Sequence, residues 1–137
     1  SLMEEDTESF NAFMAARKLP KETEEQKVAR SWAIQEASKR TALVPLETLK
    51  ACVDLVRLAE AAVTRGNPNA VADGGAAARL AEAAGWGAAY NVSVNLPGVE
   101  DPDFVARCRD EVRQALGEIG SKASALREKL RQDLEMA

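Results

Sequence analysis

Along most of the chain, apolar residues return every three or four positions, the period of one face of an α-helix. Phe10, Phe13 and Met14 define one side of a first helix from about Met3 to Lys18. Leu19-Pro20 ends it, because the residue ahead of a proline disfavours helical backbone. Thr23 predicts the next start: its hydroxyl can cap a helix, and Gln26 stands three residues on, in the capping-box position. Val28, Trp32, Ala33, Ala37, Thr41 and Val44 continue as its stripe. Pro45 interrupts this pattern without ending it, since the period resumes through Leu46, Leu49, Cys52, Val53 and Val56. The spacing therefore predicts a kink or short break inside one helix that closes near Arg65-Gly66, with glycine as the terminating residue.

Asn67-Pro68-Asn69 has the chemistry of a turn. From Asp73, whose side chain can cap a helix start, a third pattern runs through Ala76, Leu80, Ala83, Ala84 and Gly87. A glycine inside a helix costs about 1 kcal/mol against alanine, so Gly74, Gly75, Gly85 and Gly87 each call for a packing or ligand reason. Pro97-Gly98 breaks the chain again. Asp101 then caps a last helix with Pro102 at its first position, and Phe104, Cys108, Val112, Leu116, Ile119, Ala123, Leu126, Leu130 and Leu134 form its stripe. Such a helix is on the order of 50 Å long, whereas a compact monomer of this size has a radius of gyration of about 14 Å. A second copy of the chain is the simplest cover for the far end. The expectation is an all-α, multihelical bundle of four to five helices, dimeric and without internal repeats.

Composition sharpens this picture. Ser1-Leu2 ahead of Met3 reads as an expression scar, which leaves 3–137 as a single helical domain. Apolar residues make up 46% and aromatics 4%, with alanine prominent, a profile of helices that approach closely through small side chains. The net charge is −4 and the basic residues are scattered among acids, which argues against nucleic acid as a partner. No apolar run reaches the ~18 residues of a membrane span. Two distant cysteines without a secretory signal read as reduced thiols of a cytoplasmic protein. With two thiols and no histidine, a zinc site is disfavoured, and both cysteines fall within apolar stripes, which points to core packing.

The missing histidine also narrows the chemistry. Proton transfer near neutral pH falls to a carboxylate, a lysine, Tyr90, or a thiol of shifted pKa. Asp6 sits in the first helix among Glu4, Glu5 and Glu8, where carboxylates ordinarily complement the helix dipole, and spacing does not choose it over Glu8. Asn91 and Asn95, four apart, share a helix face. Their amides either read a heterocycle with alternating donors and acceptors or cap a helix end. Gly66-Asn67-Pro68-Asn69 with Asp73 forms a second polar cluster in which each residue also has a local duty in a turn or cap.

Taken in order, these segments resemble a known family. They are Asp6-Thr-Glu-Ser-Phe10, Arg17-Lys-Leu-Pro-Lys21, Thr23-Glu-Glu-Gln-Lys27 with Arg30, Ile34-Gln35-Glu36-Ala37, Val44-Pro45-Leu46 and Cys52. Gly66-Asn67, Asn69, Asp73, Gly87-Ala-Ala-Tyr-Asn91-Val92 and Asn95-Leu96 complete the set. The chain resembles the formimidoyltetrahydrofolate cyclodeaminases and the methenyltetrahydrofolate cyclohydrolases of the same fold, over about Asp6 to Phe104. The resemblance implies a dimeric all-α bundle with a tetrahydrofolate derivative as substrate, and no cofactor or metal beyond it. One reaction has N10 of 5-formimidoyltetrahydrofolate attack the formimidoyl carbon, expelling ammonia and leaving 5,10-methenyltetrahydrofolate. The other adds water to that bridge and yields 10-formyltetrahydrofolate. The resemblance assigns the catalytic carboxylate to Asp6 and the folate pocket to Gly66, Asn67, Asn69, Asp73, Asn91 and Asn95. Lys21 and Arg30 are assigned to the substrate's glutamate carboxylates, or else to a solvated face. Two departures stand out. The family has Ser-Asp where this chain has Ala72-Asp73, and its opening helix pair carries a Pro-Gly-Gly-Gly-Ser loop not found ahead of Met3. The domain is accordingly read as N-terminally short, and a catalytically inactive dimerisation or regulatory module of the same fold stands as the alternative.

Overall fold

A computed structural model describes residues 1–65 and 70–135. Four helices carry the described chain: α1 (Leu2–Arg17), α2 (Glu24–Arg65), α3 (Val71–Asn95) and α4 (Pro102–Asp133). Sequence chemistry sets their ends. The Thr23 hydroxyl accepts from the Gln26 N–H at 3.2 Å, and Gln26 Oε1 accepts in return from the N–H groups of Glu22 and Thr23 at 2.9 and 3.2 Å. Asp101 Oδ1 accepts from the Phe104 N–H at 2.9 Å ahead of Pro102. The third start differs from expectation: α3 begins at Val71 with Ala70 as its cap, which places Asp73 in the first turn, near the exposed N–H groups, rather than at the boundary. Ser1 and Leu2 belong to the fold, as the Ser1 carbonyl accepts from the Glu5 N–H at 2.9 Å and Leu2 opens α1.

Successive helices run antiparallel. Arg30 reaches back to the end of α1, Asn95 at the end of α3 meets Thr41 of α2, and Gly75 near the start of α3 lies under Leu130 near the end of α4. Consequently α2 and α4 are parallel, and ion pairs tie them in step: Lys50 to Glu111 at 2.9 Å, Arg57 to Glu118 by two bonds of 2.7 and 2.8 Å, and Lys122 to Glu60. The core lies between α2, α3 and α4 around Leu46, Leu49, Val56, Val92 and Ile119, all essentially solvent-free. α1 stands apart from it. Among the described residues it packs on α2 alone, and no Cα of α1 comes within 8 Å of one in α3 or α4.

Three expectations about faces need correction. α1 buries Ser9 and Ala16, not Phe10, which is 59% exposed; small side chains set the close approach to α2 and leave the large ones outside. On α3 the buried positions are Gly74, Ala78, Ala81, Gly85, Ala88, Ala89 and Val92, whereas Leu80 is 71% exposed. With alanine on both sides of that helix, the hydropathy contrast that sets the phase is nearly flat. Val28 and Trp32 likewise point outward, because α2 begins burying side chains only at Ala37. Because α2 spans 42 residues, about 63 Å at the helical rise, it and α3 run alongside much of α4: Leu126 is buried and Leu130 packs over Gly75, while Leu134 at the far end is 49% exposed.

Candidate functional site

Because α1 and α3 both rest on α2 with no Cα of one within 8 Å of the other, a gap remains between them. It forms an open cavity of about 490 Å³. Its floor is Val44, Pro45 and Thr48 of α2. One wall is Leu2, Met3 and Asp6 of α1, and the other is Ala84, Gly87, Ala88 and Asn91 of α3. A carboxylate and a carboxamide thus face one space from opposite sides, above a mostly apolar floor. A similar groove of about 500 Å³ between α3 and α4 offers only Arg79, Arg127 and Arg131 among alanines, Gly75 and leucines, so it lacks any group able to exchange a proton at neutral pH.

The glycines of α3 divide between packing and site. A Cβ at Gly74 would stand 2.6 Å from a Val63 methyl, at Gly75 2.5 Å from a Leu130 methyl, and at Gly85 2.9 Å from the Ile119 Cδ1. These three permit close helix approach. Gly87 has nothing within 4 Å of that position and borders the cavity, so its missing side chain serves space rather than packing.

Asp6 is exposed on α1, and its carbonyl accepts the hydroxyl of Ser9 at 2.9 Å. That hydroxyl belongs to a buried residue, so the turn carrying Asp6 is seated on α2 while its carboxylate stays free to meet a ligand. Asn91 is exposed in the opposite wall. Asn95 lies one turn further and is half-buried. Its Nδ2 donates to the Thr41 carbonyl at 3.1 Å and to the Asn91 carbonyl at 2.9 Å. Asp73 is exposed in the first turn of α3 and is not among the cavity residues. Gly66, Asn67 and Asn69 lie outside the described residues. Lys21 is exposed in the α1–α2 turn, and Arg30 donates to the Arg17 carbonyl at 3.1 and 3.3 Å, capping the end of α1. Both cations therefore sit at the opposite end of α1 from Asp6, about 16 Å along the helix from Asp6 to Arg17. Sequence reasoning missed Pro45 and Thr48 as cavity residues, although the Val44-Pro45-Leu46 motif carried the signal, and left Gly87 open between packing and ligand.

Outside the cavity, electrostatics serve structure. Lys39 bonds Asp101 at 3.0 Å and lies 5.8 Å from the Phe104 ring centre. The Phe104 N–H, and then Lys39, hold the Asp101 carboxyl below its ordinary pKa. Gln35 Nε2 donates to the Gly98 carbonyl at 3.1 Å while its Oε1 accepts from the Glu100 N–H at 2.8 Å, fastening the α3–α4 loop to α2. Burial pushes the Cys52 and Cys108 thiols up, which suits core packing and not nucleophilic duty. Among the described residues, no three of His, Cys, Asp and Glu gather as a metal site would need, and no helix is long and apolar enough to cross a membrane.

Known proteins resemble this chain in sequence and in fold. The chain is 39% identical over 120 residues to a methenyltetrahydrofolate cyclohydrolase of Methylorubrum extorquens, covering 88% of this chain and 58% of that protein. It is 32% identical over 130 residues to the formimidoyltransferase-cyclodeaminase of Sus scrofa, covering 95% of this chain and 24% of that one. It thus spans under three-fifths of the first relative and about a quarter of the second. A crystal structure of a formiminotetrahydrofolate cyclodeaminase from Thermotoga maritima superposes with a TM-score of 0.82 at 26% identity, over 97% of this chain and 62% of that one. The formiminotransferase-cyclodeaminase family model matches residues 1–114, and the chain belongs to that family.

Proposed function

We propose that this chain acts on a tetrahydrofolate carrying a one-carbon unit, with Asp6 as general acid and base. The reading rests on one observation: Asp6 of α1 and Asn91 of α3 border the same cavity. Its volume falls in the range of small-molecule sites. In cyclodeamination, N10 bonds to the formimidoyl carbon, the bond to the amine nitrogen breaks, and that nitrogen leaves as ammonia after accepting a proton. In hydrolysis, water adds to the methenyl carbon, loses a proton, and the N5–carbon bond opens. Neither reaction changes an oxidation state, and each needs a group that takes and returns one proton. The proposal gives that duty to Asp6, the heterocycle to Asn91 and clearance to Gly87, all three of which border the cavity. Asp73 and the 66–69 turn, with Gly66, Asn67 and Asn69, are further folate contacts in this proposal, and Lys21 and Arg30 are left to the glutamate carboxylates.

Decay or formation of methenyltetrahydrofolate, followed by its ultraviolet absorbance, tests the proposal. Asp6→Asn is expected to cut turnover by a factor on the order of 10²–10⁴ while folate still binds. Full turnover by that variant would remove the role from Asp6. Of the two reactions, the higher identity to the cyclohydrolase favours hydrolysis. A second reading, a non-catalytic helical module that pairs as a homodimer, draws on the exposed Leu80, Tyr90 and Val94 of α3. Light scattering that gives a monomer would exclude it.

A further inference from the structure

Pro45 lies inside a helix that remains continuous around it. A proline has no N–H, so the carbonyl four residues earlier, that of Thr41, loses the partner any other residue at 45 would have supplied. Asn95 Nδ2 reaches that same carbonyl from α3 at 3.1 Å. Its second amide hydrogen goes to the Asn91 carbonyl at 2.9 Å. One NH₂ group therefore joins the acceptor opened by Pro45 to the backbone of the residue that forms the opposite side of the cavity. Pro45 and Asn91 are both lining residues, and Asn95 is not.

We infer that Asn95 is a positioning residue: it satisfies the backbone acceptor that Pro45 leaves open and so fixes the Pro45 floor of the cavity against its Asn91 wall. Both donors of Asn95 are spent on backbone, so this amide holds the site instead of reading the substrate. Pro45 and Asn95 form a matched pair, in which the proline creates the vacancy and the asparagine fills it. The functional half of this inference rests on the folate reading above, while the structural half does not.

A double-mutant cycle in thermal and denaturant unfolding tests the structural half. In the native chain, Asn95→Ala strands a half-buried carbonyl and is expected to raise the unfolded-to-folded ratio roughly five- to thirty-fold. In a Pro45→Ala chain, residue 45 regains its N–H and satisfies Thr41 within the helix, so Asn95→Ala is expected to cost no more than about threefold. Equal losses in both backgrounds would overturn the pairing. Should Asn95→Ala fail to fold, recovery of a folded protein by adding Pro45→Ala supports the inference, and failure of both chains overturns it. Asn95→Asp keeps shape and an acceptor but loses both donors, so it is expected to track Asn95→Ala; near-native stability of this variant would contradict the inference. For function, Asn95→Asp is expected to lower kcat by about tenfold or more with KM within about threefold. A rise in KM at unchanged kcat would instead place Asn95 against the substrate. Absence of turnover in the unaltered protein would sink the folate reading and leave the unfolding cycle to decide the pairing.

Discussion

Two glycines one half-turn apart on α3 should respond to the same substitution with opposite signs. Alanine is the better helix former by about 1 kcal/mol, so either Gly85→Ala or Gly87→Ala starts with that gain. At Gly85 the new methyl would lie 2.9 Å from Ile119 Cδ1, 3.5 Å from Leu49 Cδ1 and 3.7 Å from Cys52 Cβ. Ile119 and Leu49 are fully buried and Cys52 nearly so, which leaves the isoleucine methyl nowhere to turn. Forcing a methyl into such a site costs about 1–3 kcal/mol. The net expectation for Gly85→Ala is a loss of about 1 kcal/mol, or roughly 3–4 °C in Tm for a domain of this size. Gly87→Ala meets nothing within 4 Å, keeps the helix gain and should raise Tm by a similar amount. Because Gly87 borders the cavity, its stabilised variant should also bind tetrahydrofolate more weakly. Calorimetry or circular dichroism melts of the two variants, with folate titrations on Gly87→Ala, provide the assay. A Gly87→Ala chain that melts lower, or a Gly85→Ala chain that melts higher, would refute the division of these glycines into packing and clearance.

Further outcomes follow from the charges and thiols. Asp101→Ala should lower Tm at neutral pH, because it removes the cap of α4 and the Lys39 partner. Since the folded Asp101 pKa lies below its ordinary value, this stabilisation is complete above the ordinary value and fades as pH falls through the folded one. The Tm difference between variant and parent should therefore close in acid, and a pH-independent difference would argue against the charged cap. Cys52 and Cys108 should resist alkylation in the native protein and react fully once it is unfolded; rapid native labelling followed by mass spectrometry would place a thiol at the surface. Asn91→Ala should weaken folate binding with little change in Tm, as its side chain is exposed. An unaltered titration would take Asn91 out of the site.

The fold was legible where the sequence shows contrast. The stripe from Phe104 to Leu130 on α4 stands against charged neighbours, and Thr23, Asp101 and Pro102 mark boundaries through side chains whose hydrogen bonds are local. The phase of α3 was not legible, because Ala83 and Ala84 on one side look to hydropathy much like Ala81, Ala88 and Ala89 on the other. α1 misled in a different way: its large residues Phe10 and Met14 face out, and Ser9 and Ala16 make the contact. For the site, the ordered motifs singled out Asp6 and Asn91, which border one cavity. They could not distinguish Asn91, which borders the cavity, from Asn95, whose amide serves a carbonyl 54 positions away in sequence. That distinction depends on a missing proline hydrogen and on which helix passes nearby, neither of which a spacing rule encodes.

The isolation of α1 bears on motion. It buries only Ser9 and Ala16, fewer residues than any other helix, and its backbone approaches a single neighbour, α2. Local opening draws on the least anchored element first. The carboxylate wall of the cavity is therefore carried by the least anchored helix, while the carboxamide wall stands on α3, which is packed against both α2 and α4. Any widening of the cavity is therefore expected to come from movement of that one helix, with α2 and α3 holding their packing.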